Sequence, residues 1–238
     1  MSKLLLKNII KGFAAVALIS SFSAYAEGNR YHLEQRYKSE ISPAKSYLVT
    51  NYDMGHRYKN ERNNERDHDN EHGNDQKPIL IDVRTIEEYV GGHPPRAYSI
   101  PFPHVYNRQK SAAKGDYIAQ APEDFVAAVN AMDLPKDTLI ITMCRTGFRS
   151  VLAGNLLADA GYTNVRNMWE GFKGKTKLDE SGVEADLNGD GIVDGSNPYS
   201  GDLDGWANYQ ELPVSMKLKN NRLYAPYMSM YYNVPGER

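Results

Sequence analysis

Apolar and polar positions divide this chain into stretches that can bury surface and stretches that cannot. Ile79-Leu-Ile-Asp-Val83 is almost continuously apolar, which predicts a strand covered on both faces. Thr138-Leu-Ile-Ile-Thr-Met143 repeats the pattern. Tyr98-Ser-Ile-Pro101 and Asn164-Val-Arg-Asn-Met168 read as two shorter strands. Helical stretches lie among them. Ser42 and Pro43 form a cap and first position for a helix running to about Val49. Thr85 caps a helical turn, Thr85-Ile-Glu-Glu-Tyr89, and Gly91-Gly92 ends it. Pro122 to Met132 puts Phe125, Val129 and Met132 on one face, with Glu123 and Asp124 in the first turn. Behind Ser150, Val151 to Ala160 is helix-like, and Gly161 stops it. Strands alternating with helices predict an α/β fold, a parallel twisted sheet with helices on both faces.

Two stretches fall outside this pattern. Met54 to Lys77 is dense in Asn, Asp, Glu, Arg, Lys and His and has almost nothing apolar, so it reads as a disordered polar insertion. His56, His68 and His72 lie in it without regular spacing, as expected of a solvated loop rather than a metal site. At the start, Lys3, Lys7 and Lys11 precede an apolar centre from Phe13 to Phe22. Ala24-Tyr25-Ala26 then offers a cleavage site. Residues 1–26 therefore read as a secretory signal, cut after Ala26, with no membrane span expected in what remains.

The 238 residues, 41% of them hydrophobic, suit one or two domains with a real core. Removing residues 1–26, which carry three lysines and no acids, moves the formal charge from −2 to −5. That balance gives no case for nucleic-acid binding.

Cys144 is the only cysteine, so an internal disulfide is excluded. An unpaired thiol in an oxidising compartment is a liability unless it is used or hidden. It directly follows the Thr138–Met143 strand and opens the loop Cys144-Arg-Thr-Gly-Phe-Arg149, with a helix beyond. In parallel sheets, sites gather at the carboxyl ends of strands. Backbone N–H groups and a helix N-terminus there stabilise a thiolate. Arg145 and Arg149 add positive charge for an anionic substrate. Gly147 permits a tight backbone curl.

Several segments occur together and in order: Ile81-Asp-Val-Arg-Thr-Ile-Glu-Glu-Tyr89, Gly92-His-Pro-Pro-Arg-Ala97 with Ile100-Pro101, Cys144-Arg-Thr-Gly-Phe-Arg-Ser150, and Gly161-Tyr-Thr-Asn-Val165 with Trp169-Glu-Gly-Phe172. In this combination the chain resembles the rhodanese (sulfurtransferase) family, in its small single-domain form. The resemblance implies a rhodanese-like domain over 27–212, with the polar insertion at 54–77 inside it. It implies that Cys144 takes sulfane sulfur from thiosulfate or a similar donor as a persulfide. A thiol or cyanide-type acceptor then removes that sulfur. Arg145, Thr146, Gly147, Phe148 and Arg149 would bind the substrate, with Arg84 structural or at the pocket rim. Asp82 would brace the sheet, and His93 would pack rather than catalyse. A related phosphatase group on this fold has five residues between cysteine and arginine. Here there are four, which fits a sulfur rather than a phosphoryl group. No catalytic cofactor is implied. The family's exported members point to a periplasmic or otherwise exported location. A sulfur carrier or binding module serving a partner protein is the alternative, and a calcium-gated interaction protein a third reading.

That third reading rests on the segment 186–205. Asp186-Leu-Asn-Gly-Asp-Gly-Ile-Val-Asp194 resembles the start of an EF-hand loop. Asp186, Asn188, Asp190 and Asp194 offer oxygens, Ile192 stands where such loops use a carbonyl, and Gly191 allows the turn. Asn197 replaces the closing glutamate. Asp202 or Asp204 would complete one structural calcium site. Gly205-Trp206 with Leu212-Pro213 would close the domain. The Tyr- and Met-rich extension 213–238 is expected to wrap around it.

Overall fold

The strand that ends at Cys144 lies at the centre of a five-stranded parallel sheet. A computed structural model describes residues 29–52, 77–108, 116–187, 189–193 and 201–234. The expected signal segment and, apart from Lys77, the polar insertion lie outside the described residues. In chain order the elements are β1 (Ser39–Ile41), α1 (Pro43–Asn51), β2 (Ile79–Asp82), α2 (Ile86–Val90), β3 (Tyr98–Ser99), β4 (His104–Asn107), β5 (Tyr117–Ala119), α3 (Pro122–Asn130), β6 (Ile140–Met143), α4 (Phe148–Asp159), β7 (Val165–Met168) and α5 (Met228–Tyr232). The sheet order is β1-β7-β6-β2-β3, and every pairing in it is parallel.

Burial explains why β2 and β6 sit in the middle. Ile140, Ile141 and Met143 of β6 are fully buried, as are Leu80 and Ile81 of β2. Each such side chain contributes about 1.5–3 kcal/mol when removed from water. The helices start as the local sequence dictates. Ser42 Oγ accepts the Lys45 N–H at 3.3 Å, which caps α1. The Glu88 carboxylate accepts the Thr85 N–H at 3.1 Å and so closes a capping box on α2.

Two features differ from the sequence expectation. β1 is only three residues long, too short for a periodicity signal. It exists because Ser39–Ile41 lies alongside Arg166–Met168 at the sheet edge. β4 and β5 form a separate antiparallel pair.

The C-terminal segment packs onto the domain. Tyr231 is 2% exposed, and its hydroxyl donates to Ser99 Oγ at 2.7 Å. His93 and Ser215 exchange backbone hydrogen bonds. Trp206 is fully buried and donates its ring N–H to the Pro213 carbonyl at 2.9 Å.

Candidate active site

Cys144 leaves the end of β6 and enters the curl that starts α4. The helix begins at Phe148, three residues earlier than its apolar pattern indicates. The reason is Gly147, whose left-handed backbone (φ +100°) turns the chain directly into the helix. A Cβ on Gly147 would lie 2.3 Å from the Trp169 carbonyl oxygen, so no other residue fits. The curl returns the Gly147 N–H to the Cys144 Sγ at 3.1 Å. Ser150 Oγ lies 3.5 Å from the same sulfur and 3.1 Å from the Gly147 carbonyl oxygen. The cysteine itself is 1% exposed.

The loop is clamped from the segment after β7. The Phe172 N–H donates to the Cys144 carbonyl at 2.8 Å, and the Lys173 and Gly174 N–H groups to that of Arg145 at 2.9 and 3.1 Å. Gly171 lets this segment approach, since a Cβ there would lie 2.7 Å from the Arg145 carbonyl. From the other side, Tyr31 places its hydroxyl 2.9 Å from the Thr146 carbonyl oxygen and 2.6 Å from Thr146 Oγ1. Its ring meets the Phe148 ring edge-on at 5.2 Å.

The two loop arginines have different surroundings. Arg145 is exposed. Arg149 is turned inward, with its two terminal nitrogens on the Glu88 carboxylate at 2.7 and 3.0 Å. Burial alone would push the Glu88 carboxyl up, but the Arg149 charge and hydrogen bonds, with help from Arg84, hold it at about 2. Arg149 is raised correspondingly: burial would lower it, and the Glu88 carboxylate more than offsets that.

Of the two places expected for Arg84, structural or at the pocket rim, its surroundings match the first. Arg84 is buried, grips Asp82 through Nε and Nη2, and donates to the Gly92 carbonyl at 2.8 Å. Its guanidinium lies 3.9 Å from the Phe172 ring centroid. A buried guanidinium needs such partners, so Arg84 serves the fold. His93 is stacked on Tyr89 at 3.8 Å, and burial lowers its basicity, in keeping with packing.

Thr146, Gly147, Phe148 and Arg145 are therefore brought together around Cys144, while Arg149 reaches Glu88 and Arg84 reaches Asp82. Sequence reasoning missed Glu88, Tyr31 and Lys173. Glu88 had a signal, the Thr85-x-x-Glu88 capping pattern, but its second contact lies 61 residues away. Lys173 is half-buried beside the loop. Burial and the neighbouring Arg145 and Arg84 charges lower its basicity.

The acidic segment stands apart from the thiol. Asp186 accepts the Gly189 and Gly191 N–H groups at 2.6 and 2.8 Å, and Asp190 accepts that of Ile192 at 2.8 Å. Buried Asp202 accepts the Leu187 N–H at 2.7 Å. Asp204 is paired with Arg30 and accepts the Lys175 N–H at 2.9 Å. Asn188 and Asp194 lie outside the described residues. Among the described residues, no three His, Cys, Asp or Glu side chains converge to hold a metal. No helix among them is long and apolar enough to cross a membrane.

The profile of the Rhodanese-like domain matches residues 66–177. An uncharacterised protein of Rickettsia prowazekii is 33% identical over 100 residues, which span 42% of this chain and 72% of that protein. Thiosulfate sulfurtransferase 18 of Arabidopsis thaliana is 30% identical over 92 residues, 39% of this chain and 62% of the plant protein. Among solved structures, a rhodanese from E. coli aligns over 38% of this chain and 82% of its own, at 23% identity and a TM-score of 0.28. The ordered motifs, the matching domain profile and the Rickettsia prowazekii relative agree: this chain belongs to the rhodanese-like family.

Proposed function

We propose that the protein is a sulfurtransferase that carries sulfane sulfur on Cys144. The observation that supports this most is the Gly147 N–H aimed at Cys144 Sγ from 3.1 Å, at the carboxyl end of a central strand. The thiolate of Cys144 attacks the outer sulfur of thiosulfate. A new S–S bond forms, the old one breaks, and its electron pair leaves with sulfite. One negative charge stays on the outer sulfur of the Cys144 persulfide. A thiol or cyanide then takes that outer sulfur, and the bond pair returns to Cys144. Backbone dipoles that stabilise a thiolate serve the persulfide anion equally well. Exposed Arg145 attracts the doubly charged donor, and half-buried Lys173 adds to the positive field. Arg149 acts through Glu88 as a brace for the loop. The scheme assigns no step to a histidine base, since the cysteine thiolate is itself the nucleophile.

Mass spectrometry of the protein after thiosulfate treatment tests this. The gain of one sulfur at Cys144, absent in Cys144→Ser and reversed by a thiol reductant, is the expected result. No gain on folded protein with a thiol that alkylates readily would refute it. Loading without thiocyanate production from cyanide would identify a carrier serving a partner protein.

Two further readings belong to the proposal. The first is export after cleavage behind Ala26, for which the test is the N-terminal sequence of the protein recovered from cells. The second is a structural calcium held by Asp186, Asn188, Asp190, the Ile192 carbonyl and Asp194, completed by Asp202 or Asp204. A calcium-specific rise in thermal midpoint, lost in Asp186→Asn, is expected; equal midpoints in calcium and in chelator would dismiss the site.

A further inference from the structure

The residue that faces the thiol loop from the N-terminal side does so at a particular peptide. Tyr31 Oη lies 2.9 Å from the carbonyl oxygen of Thr146. That carbonyl and the Gly147 N–H belong to one planar peptide group. The Gly147 N–H is the donor that reaches Cys144 Sγ at 3.1 Å. A carbonyl oxygen can only accept, so the phenol must be the donor in this contact. The same phenol hydrogen is also directed at Thr146 Oγ1, 2.6 Å away, so the Thr146 carbonyl and hydroxyl oxygens share it in a three-centre contact. The result is a chain of donors running from Tyr31 through one peptide to the sulfur.

We propose that Tyr31 is a positioning residue for the Cys144 thiolate and persulfide, acting through the Thr146–Gly147 peptide. Two effects follow from that geometry. Hydrogen bonds in series polarise one another, so a peptide that accepts at its carbonyl donates more strongly at its N–H. A peptide held at its oxygen also cannot rotate its N–H away from the sulfur. The rest of the segment keeps Tyr31 in place. Asn29 is buried and donates to the Leu33 carbonyl at 2.8 Å. Arg30 is paired with Asp204 and lies 4.8 Å over the Trp169 ring. Lys175 Nζ lies 4.1 Å from the Tyr31 ring centroid, and Phe148 meets the ring's edge. Ring and hydroxyl therefore have separable roles. The ring covers the loop, and the hydroxyl acts on the peptide.

The proposal rests on the sulfurtransferase reading, but its test needs no sulfur donor. The rate of Cys144 alkylation by iodoacetamide is measured at pH 7 and at pH 10 in the wild type, Tyr31→Phe and Tyr31→Ala. Loss of the hydroxyl should slow alkylation about three- to tenfold at pH 7, the range one hydrogen bond can supply. The difference should close at pH 10, where a thiol ionises without assistance. Tyr31→Ala should show the same ratio between the two pH values as Tyr31→Phe. A Phe variant as reactive as the wild type at pH 7 would overturn the proposal, and so would an equal slowing at both pH values. An effect confined to the Ala variant would assign the role to ring cover instead and would equally overturn it. A wild type that alkylates as expected yet takes no sulfur from thiosulfate would defeat the sulfurtransferase reading alone.

Discussion

Replacing Glu88 by Gln removes the charge that Arg149 grips through two nitrogens, at 2.7 and 3.0 Å. Glu88 and Arg149 side chains are 27% and 18% exposed, so solvent screens the pair only in part. The folded carboxyl stands at about 2 against an ordinary 4.5. That gap corresponds to about 3 kcal/mol of stability at neutral pH, an upper figure given the partial exposure. The raised Arg149 reports the same contact, so it is counted once. The sign follows from the depressed acid: the contribution is complete above about pH 5 and is lost as pH falls towards 2. Urea denaturation should therefore show Glu88→Gln to be less stable by about 2–3 kcal/mol at pH 7. At pH 3, one unit above the folded value, only about 1.4 kcal/mol of the wild-type advantage should remain. A gap that stays constant from pH 7 to pH 3, or one below about 0.5 kcal/mol at pH 7, would refute the assignment of Glu88 as the electrostatic brace of the loop.

Two other perturbations probe the same frame. Buried Glu170 has its carboxyl raised to about 7, first by burial and then by Asp204, so folding favours its protonated form. Stability should decline as pH rises from about 4.5 to 7. Half-buried Glu40, also raised to about 7 by burial, adds to the decline. Thermal midpoints between pH 5 and 7.5 should fall less in Glu170→Gln than in the wild type, and parallel slopes would contradict this. Gly174 has φ +81°, and a Cβ there would stand 2.1 Å from the Gly205 nitrogen. Gly174→Ala should cost at least about 3 kcal/mol, or about 6–12 °C in midpoint. A drop under about 2 °C would mean that the two segments can part freely.

Local chemistry wrote much of this protein into its sequence. Apolar runs marked β2 and β6 because a strand buried on both faces has no polar face to display. Ser42, Thr85 and Gly161 marked helix ends, since caps act within a few residues. The thiol after a buried strand, with Gly147 behind it, located the loop. Tertiary structure alone decided the partners. Arg145 and Arg149 look alike in sequence, yet one is exposed and the other is bound to Glu88, 61 residues away. Asp204 sits in an acidic stretch of the sequence, yet the partner it meets is Arg30, 174 residues distant. Tyr31 gave no signal at all, because its target lies 115 residues along the chain. Periodicity and capping are short-range rules. Which charges meet, and which phenol reaches which peptide, depends on how the sheet stacks its strands and brings distant loops to one edge.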